Sequence, residues 1–136
     1  MTGFDSERPF SIWSYTVSHR QLLLRSTRQD HALGAPDLDT QIDVLFKNVT
    51  ALKLASRLTE LKLREVRDEQ ASDLINDAAI PCEPRQHVIS VRGGAVVGWV
   101  ICGVVAVDEW AGDYSDPSRV ASGRWSGPVL FGGPQP

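Results

Sequence analysis

The segment Ala95–Asp108, which reads AVVGWVICGVVAVD, decides the fold class. Its β-branched residues favour a strand, and successive side chains of a strand point to opposite faces. Both faces of this strand are apolar: one carries Val97, Trp99, Ile101, Val105 and Val107, the other Val96, Val100, Cys102 and Val104. A strand of this kind must be covered from both sides, so we expect two packed layers or a barrel rather than one open sheet. Gly98 and Gly103 predict bends or bulges where the strand turns a corner.

Several further strands are predicted by period-two patterns. In the segment 41–47, Ile42, Val44 and Phe46 point one way, whereas Asp43 and Lys47 point the other. The segments 49–54 and 60–66 follow at close spacing, which suggests an antiparallel meander. Segments 10–17 and 20–26 read as strand, turn and strand, and Gly93-Gly94 has hairpin composition between segment 87–92 and the long strand.

The period changes over residues 67–79, where one amphipathic helix is predicted. Ala71, Leu74, Ile75 and Ala78 recur at helical spacing, and Pro81 ends the pattern. The expected fold is therefore mainly β (α+β). It is an antiparallel β-sandwich or partly open barrel of about seven strands with this helix packed on it.

A chain of 136 residues corresponds to one domain. We expect a globular domain over residues 1–125 and a mobile, Gly/Pro-rich C-terminal tail over residues 126–136. The connection 27–40 is long for a compact domain and is a place where function often lies. The first ten residues lack the apolar stretch of a secretory signal, so a cytoplasmic location with both cysteines reduced is expected.

The net charge is −3 and the sequence pI is about 5.5. This balance argues against a dedicated binder of nucleic acid or of a membrane surface, which needs a basic field. The longest apolar run, 13 residues, is shorter than the roughly 20 that span a bilayer. We therefore expect a partner that is neither nucleic acid nor membrane.

No catalytic, metal-binding or cofactor motif is found. Cys82 and His87 form one potential ligand pair where a structural zinc site needs two, and neither His19 nor His31 adds a partner at suitable spacing. Cys82 follows the predicted helix C-terminus, whose negative end disfavours a thiolate, and Cys102 reads as a core residue. The predictions are no metal, no cofactor and no catalytic residue.

The segment 108–116 combines carboxylates with aromatic rings. Its candidate binding residues are Asp108, Glu109, Trp110, Asp113, Tyr114 and Asp116. Their spacing does not match a calcium-binding loop, and a solvated loop whose rings cap the sheet is the plainer interpretation. The same composition also suits a surface that attracts a basic partner, with the rings as anchors and the acids steering approach.

Taken together, a small, acidic, strand-rich and motif-poor domain is similar in type to toxin-neutralising immunity proteins, although no motif is shared. Arginine outnumbers lysine 11 to 3, which hints at a GC-rich bacterial genome. The leading hypothesis is a non-enzymatic interaction protein that binds a basic protein partner through segment 108–116. The alternative is a small-molecule-binding barrel or sandwich whose pocket is lined by Trp13, Phe46 and Trp99.

Overall fold

The computed structural model describes residues 3–27, 39–67, 86–113, 115–121 and 129–131, together with residues 69, 72, 73 and 76. This part of the chain contains eleven strands. They are β1 (Gly3–Ser6), β2 (Phe10–Thr16), β3 (Gln21–Ser26), β4 (Gln41–Lys47), β5 (Ala51–Lys53), β6 (Arg57–Leu58), β7 (Leu61–Val66), β8 (His87–Gly93), β9 (Val96–Cys102), β10 (Val104–Trp110) and β11 (Val129–Phe131).

The strands form two antiparallel sheets. Sheet I has five strands in the order β1-β7-β8-β9-β5, and sheet II has six in the order β11-β10-β4-β3-β2-β6. One buried apolar cluster lies between them. Sheet I contributes Leu61, Leu63, Ile89, Val91, Val100 and Cys102, and sheet II contributes Phe10, Leu22, Leu24, Ile42, Val44, Phe46 and Val105. The side chains at these positions define the inner face of each sheet, and the alternate positions define its outer face.

At one shared corner the chain passes between the two sheets twice, from β4 to β5 and from β9 to β10. In sheet II β4 pairs with β10, and in sheet I β5 pairs with β9. The chain turns at Asn48, which has a φ of 55°, and opposite it at Gly103, whose N–H donates to the carbonyl of Lys47 over 2.9 Å. The N–H of Thr50 donates to Ile101 over 2.8 Å on the other side of the corner.

This corner corrects the prediction of one long strand over residues 95–108. The segment is two strands, β9 and β10, and each belongs to a different sheet. Of the two glycines predicted at bends, Gly103 lies at the corner. A Cβ there would lie 3.2 Å from the Asn48 side chain, so a larger residue would be crowded. The requirement for two layers is confirmed. The count of seven strands is wrong, because it merged β9 with β10 and missed the short strands β1, β6 and β11.

The two hairpins are confirmed, but the meander is not. β2 pairs with β3, and β8 pairs with β9 across a turn in which Gly94 has a φ of 68°. In contrast, β4, β5, β6 and β7 do not pair with one another; they alternate between the two sheets. Close spacing along the sequence predicts strands but does not predict which sheet each one enters.

The predicted helix is not confirmed. Glu69, Ser72, Asp73 and Asn76 have helical backbone and exposed side chains. The apolar stripe of Ala71, Leu74, Ile75 and Ala78 lies outside the described residues, as does most of the connection 27–40. Part of the predicted C-terminal tail is a strand, because β11 pairs with β10 at Val105 and Ala106.

Candidate interaction surface

Part of segment 108–116 and the residues that follow it lie over the outer face of sheet II. Val120 packs in a small apolar cluster with Leu23, Leu45 and Ala106, which are outward-pointing residues of three neighbouring strands. The side chains of Arg25, Asp43 and Asp108 emerge from the same face and are also buried. This face is therefore a second, partly polar layer that the alternation of Asp43 with apolar residues did not reveal.

A buried ion pair joins the two central strands of this layer. The Arg25 guanidinium donates from Nε to Asp43 Oδ1 over 2.7 Å and from Nη2 to Oδ2 over 3.1 Å. Its Nη1 donates to the carbonyl of Asp116 over 2.9 Å, which ties the segment to β3. The Trp110 indole N–H donates to Asp43 Oδ2 over 3.2 Å. Such a fully hydrogen-bonded pair offsets the desolvation of its two charges, whereas removal of one partner would leave a costly unpaired charge.

Asp108 belongs to a second ion pair rather than to the free surface. It is 4% exposed and accepts two hydrogen bonds from Arg119, from Nε over 2.9 Å and from Nη2 over 2.5 Å. Hydrogen bonding to Asp108 raises the pKa of Arg119. The Arg119 guanidinium also lies 4.9 Å from the ring centre of Trp110. Asp108 and Trp110 thus hold the returning chain against the sheet.

The remaining predicted site residues are divided between two places. Asp113 is exposed and Asp116 is half-buried, and they close a turn in which the Asp113 N–H donates to Asp116 Oδ2 over 2.8 Å. Glu109 lies apart from them, beside Ile42 in the register, where it accepts a hydrogen bond from Thr40 Oγ1 over 2.7 Å. Its carboxylate is also 3.8 Å from Arg8. Tyr114 lies outside the described residues.

Trp13, which the alternative hypothesis places in the lining of a pocket, is a surface residue. Phe10 and Ile12 point into the core, so Trp13 between Ile12 and Ser14 points to the outer face, and a bulge there leaves it without a register partner on β3. Its ring centre lies 5.2 Å from the Arg25 guanidinium, and the side chain is 42% exposed. Arg25 therefore contacts both Trp13 and the turn at Asp116. The signal that could have located Trp13 is its alternation with the apolar residues Phe10 and Ile12, which point inward.

The residues of the alternative pocket are not brought together. Phe46 is in the core, Trp13 is on the outer face of sheet II, and Trp99 is half-buried on the outer face of sheet I. Cys102 is a core residue as predicted, and burial raises the pKa of its thiol to about 12. His87 lies opposite Cys102 in the register and is hydrogen-bonded through Nδ1 to Glu65.

Comparison with protein-family models, with curated proteins and with solved structures finds no match to this chain. Within the described ranges, no helix has both the length and the apolar character that crossing a membrane requires.

Proposed function

We propose that this protein is a non-enzymatic binding module that recognises a basic protein partner through the outer face of sheet II. The recognition surface consists of Trp13, Trp110, Asp113 and Asp116. Asp108 contributes by fixing Arg119 and does not meet the partner. Neutralisation of a basic toxin is the form of this function that the acidic, motif-poor profile favours.

The contact of Arg25 with both Trp13 and Asp116 is the observation that carries the proposal. It places a large, half-exposed ring near an acidic turn, and it holds both on a sheet in which Arg25 is already paired with Asp43. A Trp that is fixed in place loses little conformational entropy on binding, and such rings dominate the energetics of many interfaces. The exposed Asp113 in this turn steers a basic partner during the encounter.

The first experiment is capture of the partner from an extract of the source organism, followed by binding kinetics with the purified partner. Replacement of Trp13 by alanine should weaken binding by at least about tenfold, mainly through faster dissociation. Asp113→Asn should slow association by roughly twofold at low salt and have little effect at high salt.

Two controls separate recognition from folding. Trp13→Phe keeps a ring over Arg25 and should retain most of the stability, and Glu69→Gln removes an exposed carboxylate far along the chain from the surface. Circular dichroism should show the same fold in every variant. If the captured partner binds Trp13→Ala and wild type with equal affinity, the surface is not the recognition site.

A further inference from the structure

The outer face of sheet I carries basic side chains around one aromatic ring. Lys62 on β7, Arg92 on β8 and Lys53 on β5 are exposed, and Trp99 on β9 is half-buried between them. We call Lys53, Lys62, Arg92, Val97 and Trp99 the basic face. Val97, also on β9, is 60% exposed.

The register fixes how these side chains are arranged. Lys62 lies directly opposite Arg92, and Arg92 lies opposite Val97. In the next row, Trp99 lies between Ser90 on one side and Lys53 on the other. The basic face therefore has two cations on one side of the ring and one on the other. They are spread over three strand spacings, about 14 Å.

Lys62 lies between Asp5 on one side and Arg92 on the other, so one of its two cross-strand pairs is a like-charge pair. Like charges directly opposite each other in a sheet are destabilising. The acid at the edge of this face is Asp5, opposite Lys62 in the register. Its carboxylate accepts two hydrogen bonds from Arg64, over 2.6 and 2.9 Å, which lower the pKa of Asp5. Arg92 and Lys53 have no ion-pair partner within the described part of the chain.

We propose that the basic face binds single-stranded nucleic acid, with phosphates on Lys62, Arg92 and Lys53 and a base against Trp99. A sheet face with cations flanking a ring suits this ligand, because phosphates need positive charge and every base has a face that stacks. An acidic polypeptide would match the cations equally well but has no regular partner for the ring. The overall negative charge predicted no nucleic-acid partner; the local distribution of charge on sheet I leads to the opposite inference.

The test uses fluorescence anisotropy with labelled oligothymidylate and oligouridylate over a range of salt concentrations. The logarithm of the binding constant should fall with the logarithm of salt with a slope of about −2, as expected for three phosphate contacts. The double variant Lys62→Gln/Arg92→Gln should make this dependence shallower, with a slope of about −0.7 for the one remaining phosphate contact. Trp99→Leu should weaken binding roughly tenfold and leave the slope unchanged.

A matched control is Lys47→Gln, which removes a lysine from sheet II and should leave binding unchanged. A charge reversal adds a readout that does not depend on a loss of folding. Arg92→Glu should raise the midpoint of thermal unfolding by about 2 °C, because it puts an acid opposite Lys62 in place of a like-charge pair, while it weakens binding.

Three results would overturn the proposal: no binding at low salt, an equal loss in Lys47→Gln, or competition by polyglutamate as effective as that by unlabelled oligonucleotide. The last result would assign the basic face to an acidic protein instead. The proposal does not rest on the recognition surface of sheet II, so each can fail without the other.

Discussion

Glu65 shows how a single carboxylate can make stability depend on pH. Its side chain is 11% exposed and is hydrogen-bonded to His87 and to Arg67, the latter from Nη2 over 2.7 Å. Burial raises the pKa of Glu65, but the hydrogen bonds from His87 and Arg67 outweigh burial and hold the pKa below its ordinary value. A lowered folded-state pKa means that the ionised carboxylate stabilises the fold.

Replacement of Glu65 by glutamine should therefore lower the free energy of unfolding by about 1 kcal/mol at neutral pH. The stabilisation is complete above the ordinary pKa of 4.5 and is lost as the pH falls through the lowered folded-state value. The difference between wild type and Glu65→Gln should thus shrink below pH 4.5. Urea titrations at neutral and acidic pH measure it, with Glu69→Gln as the exposed control. A difference that stays constant down to acidic pH would contradict this account.

Residue-level prediction from the sequence worked where one face was apolar and failed where charges were buried. The inward direction of Ile42, Val44 and Phe46 is confirmed, because burial follows from alternation alone. Asp43 was predicted on the opposite face, which is correct, but its burial was not predicted. Its partner Arg25 is 18 positions away, and the chain that covers both arrives from beyond residue 110. No local sequence pattern indicates that Arg25, Asp43 and this covering segment come together.

At the scale of elements, the corner between the two sheets depends on a pair of residues. Asn48 adopts a left-handed backbone with a φ of 55°, which asparagine and glycine tolerate better than other residues. Gly103 faces it, and a Cβ at Gly103 would lie 3.2 Å from both Cβ and Nδ2 of Asn48. The β4–β10 pair of sheet II can continue as the β5–β9 pair of sheet I because Gly103 has no side chain and Asn48 tolerates the left-handed backbone.

Gly103→Ala should lower the free energy of unfolding by about 1 kcal/mol, and Asn48→Val by about 2 kcal/mol because a β-branched residue resists this backbone. Asn48→Gly should be close to neutral. In the double variant Asn48→Gly/Gly103→Ala, the cost of the alanine should largely disappear, since the side chain that crowds it is absent. A double-mutant cycle by chemical denaturation measures this coupling. Additive costs would show that the two positions act independently.

Most strands were predictable from the sequence, but their assignment to sheets was not. A glycine inside an apolar run indicates a bend, and both Gly98 and Gly103 satisfy that description. Gly98 remains inside β9, where a Cβ would lie 2.1 Å from the Lys53 carbonyl, so it allows close strand pairing. Gly103 marks the change of sheet. The sequence around each is similar, and the difference lies in the partner strand that each one meets.

At the scale of the whole molecule, the four edges of the two sheets, as far as the described residues extend, are formed by the four shortest strands. β1, β5, β6 and β11 have four, three, two and three residues, whereas each of the other strands has six or seven. Short edge strands limit the row of backbone groups that another chain could pair with. The arrangement suits a protein that binds through its faces rather than through its edges.

β11 covers part of β10, a seven-residue strand that begins with the apolar run Val104–Val107. Deletion of residues 129–136 should therefore uncover the edge of β10 and promote intermolecular pairing, which would appear as light scattering at a lower temperature during a thermal ramp. Deletion of residues 132–136 alone leaves β11 in place and should scatter like the full chain. Equal scattering by the two deletions would mean that β11 does not protect the sheet. The longer deletion removes no residue of the proposed recognition surface. In dilute solution, where the molecules remain monomeric, partner binding should therefore be unchanged, so aggregation and binding can be measured separately.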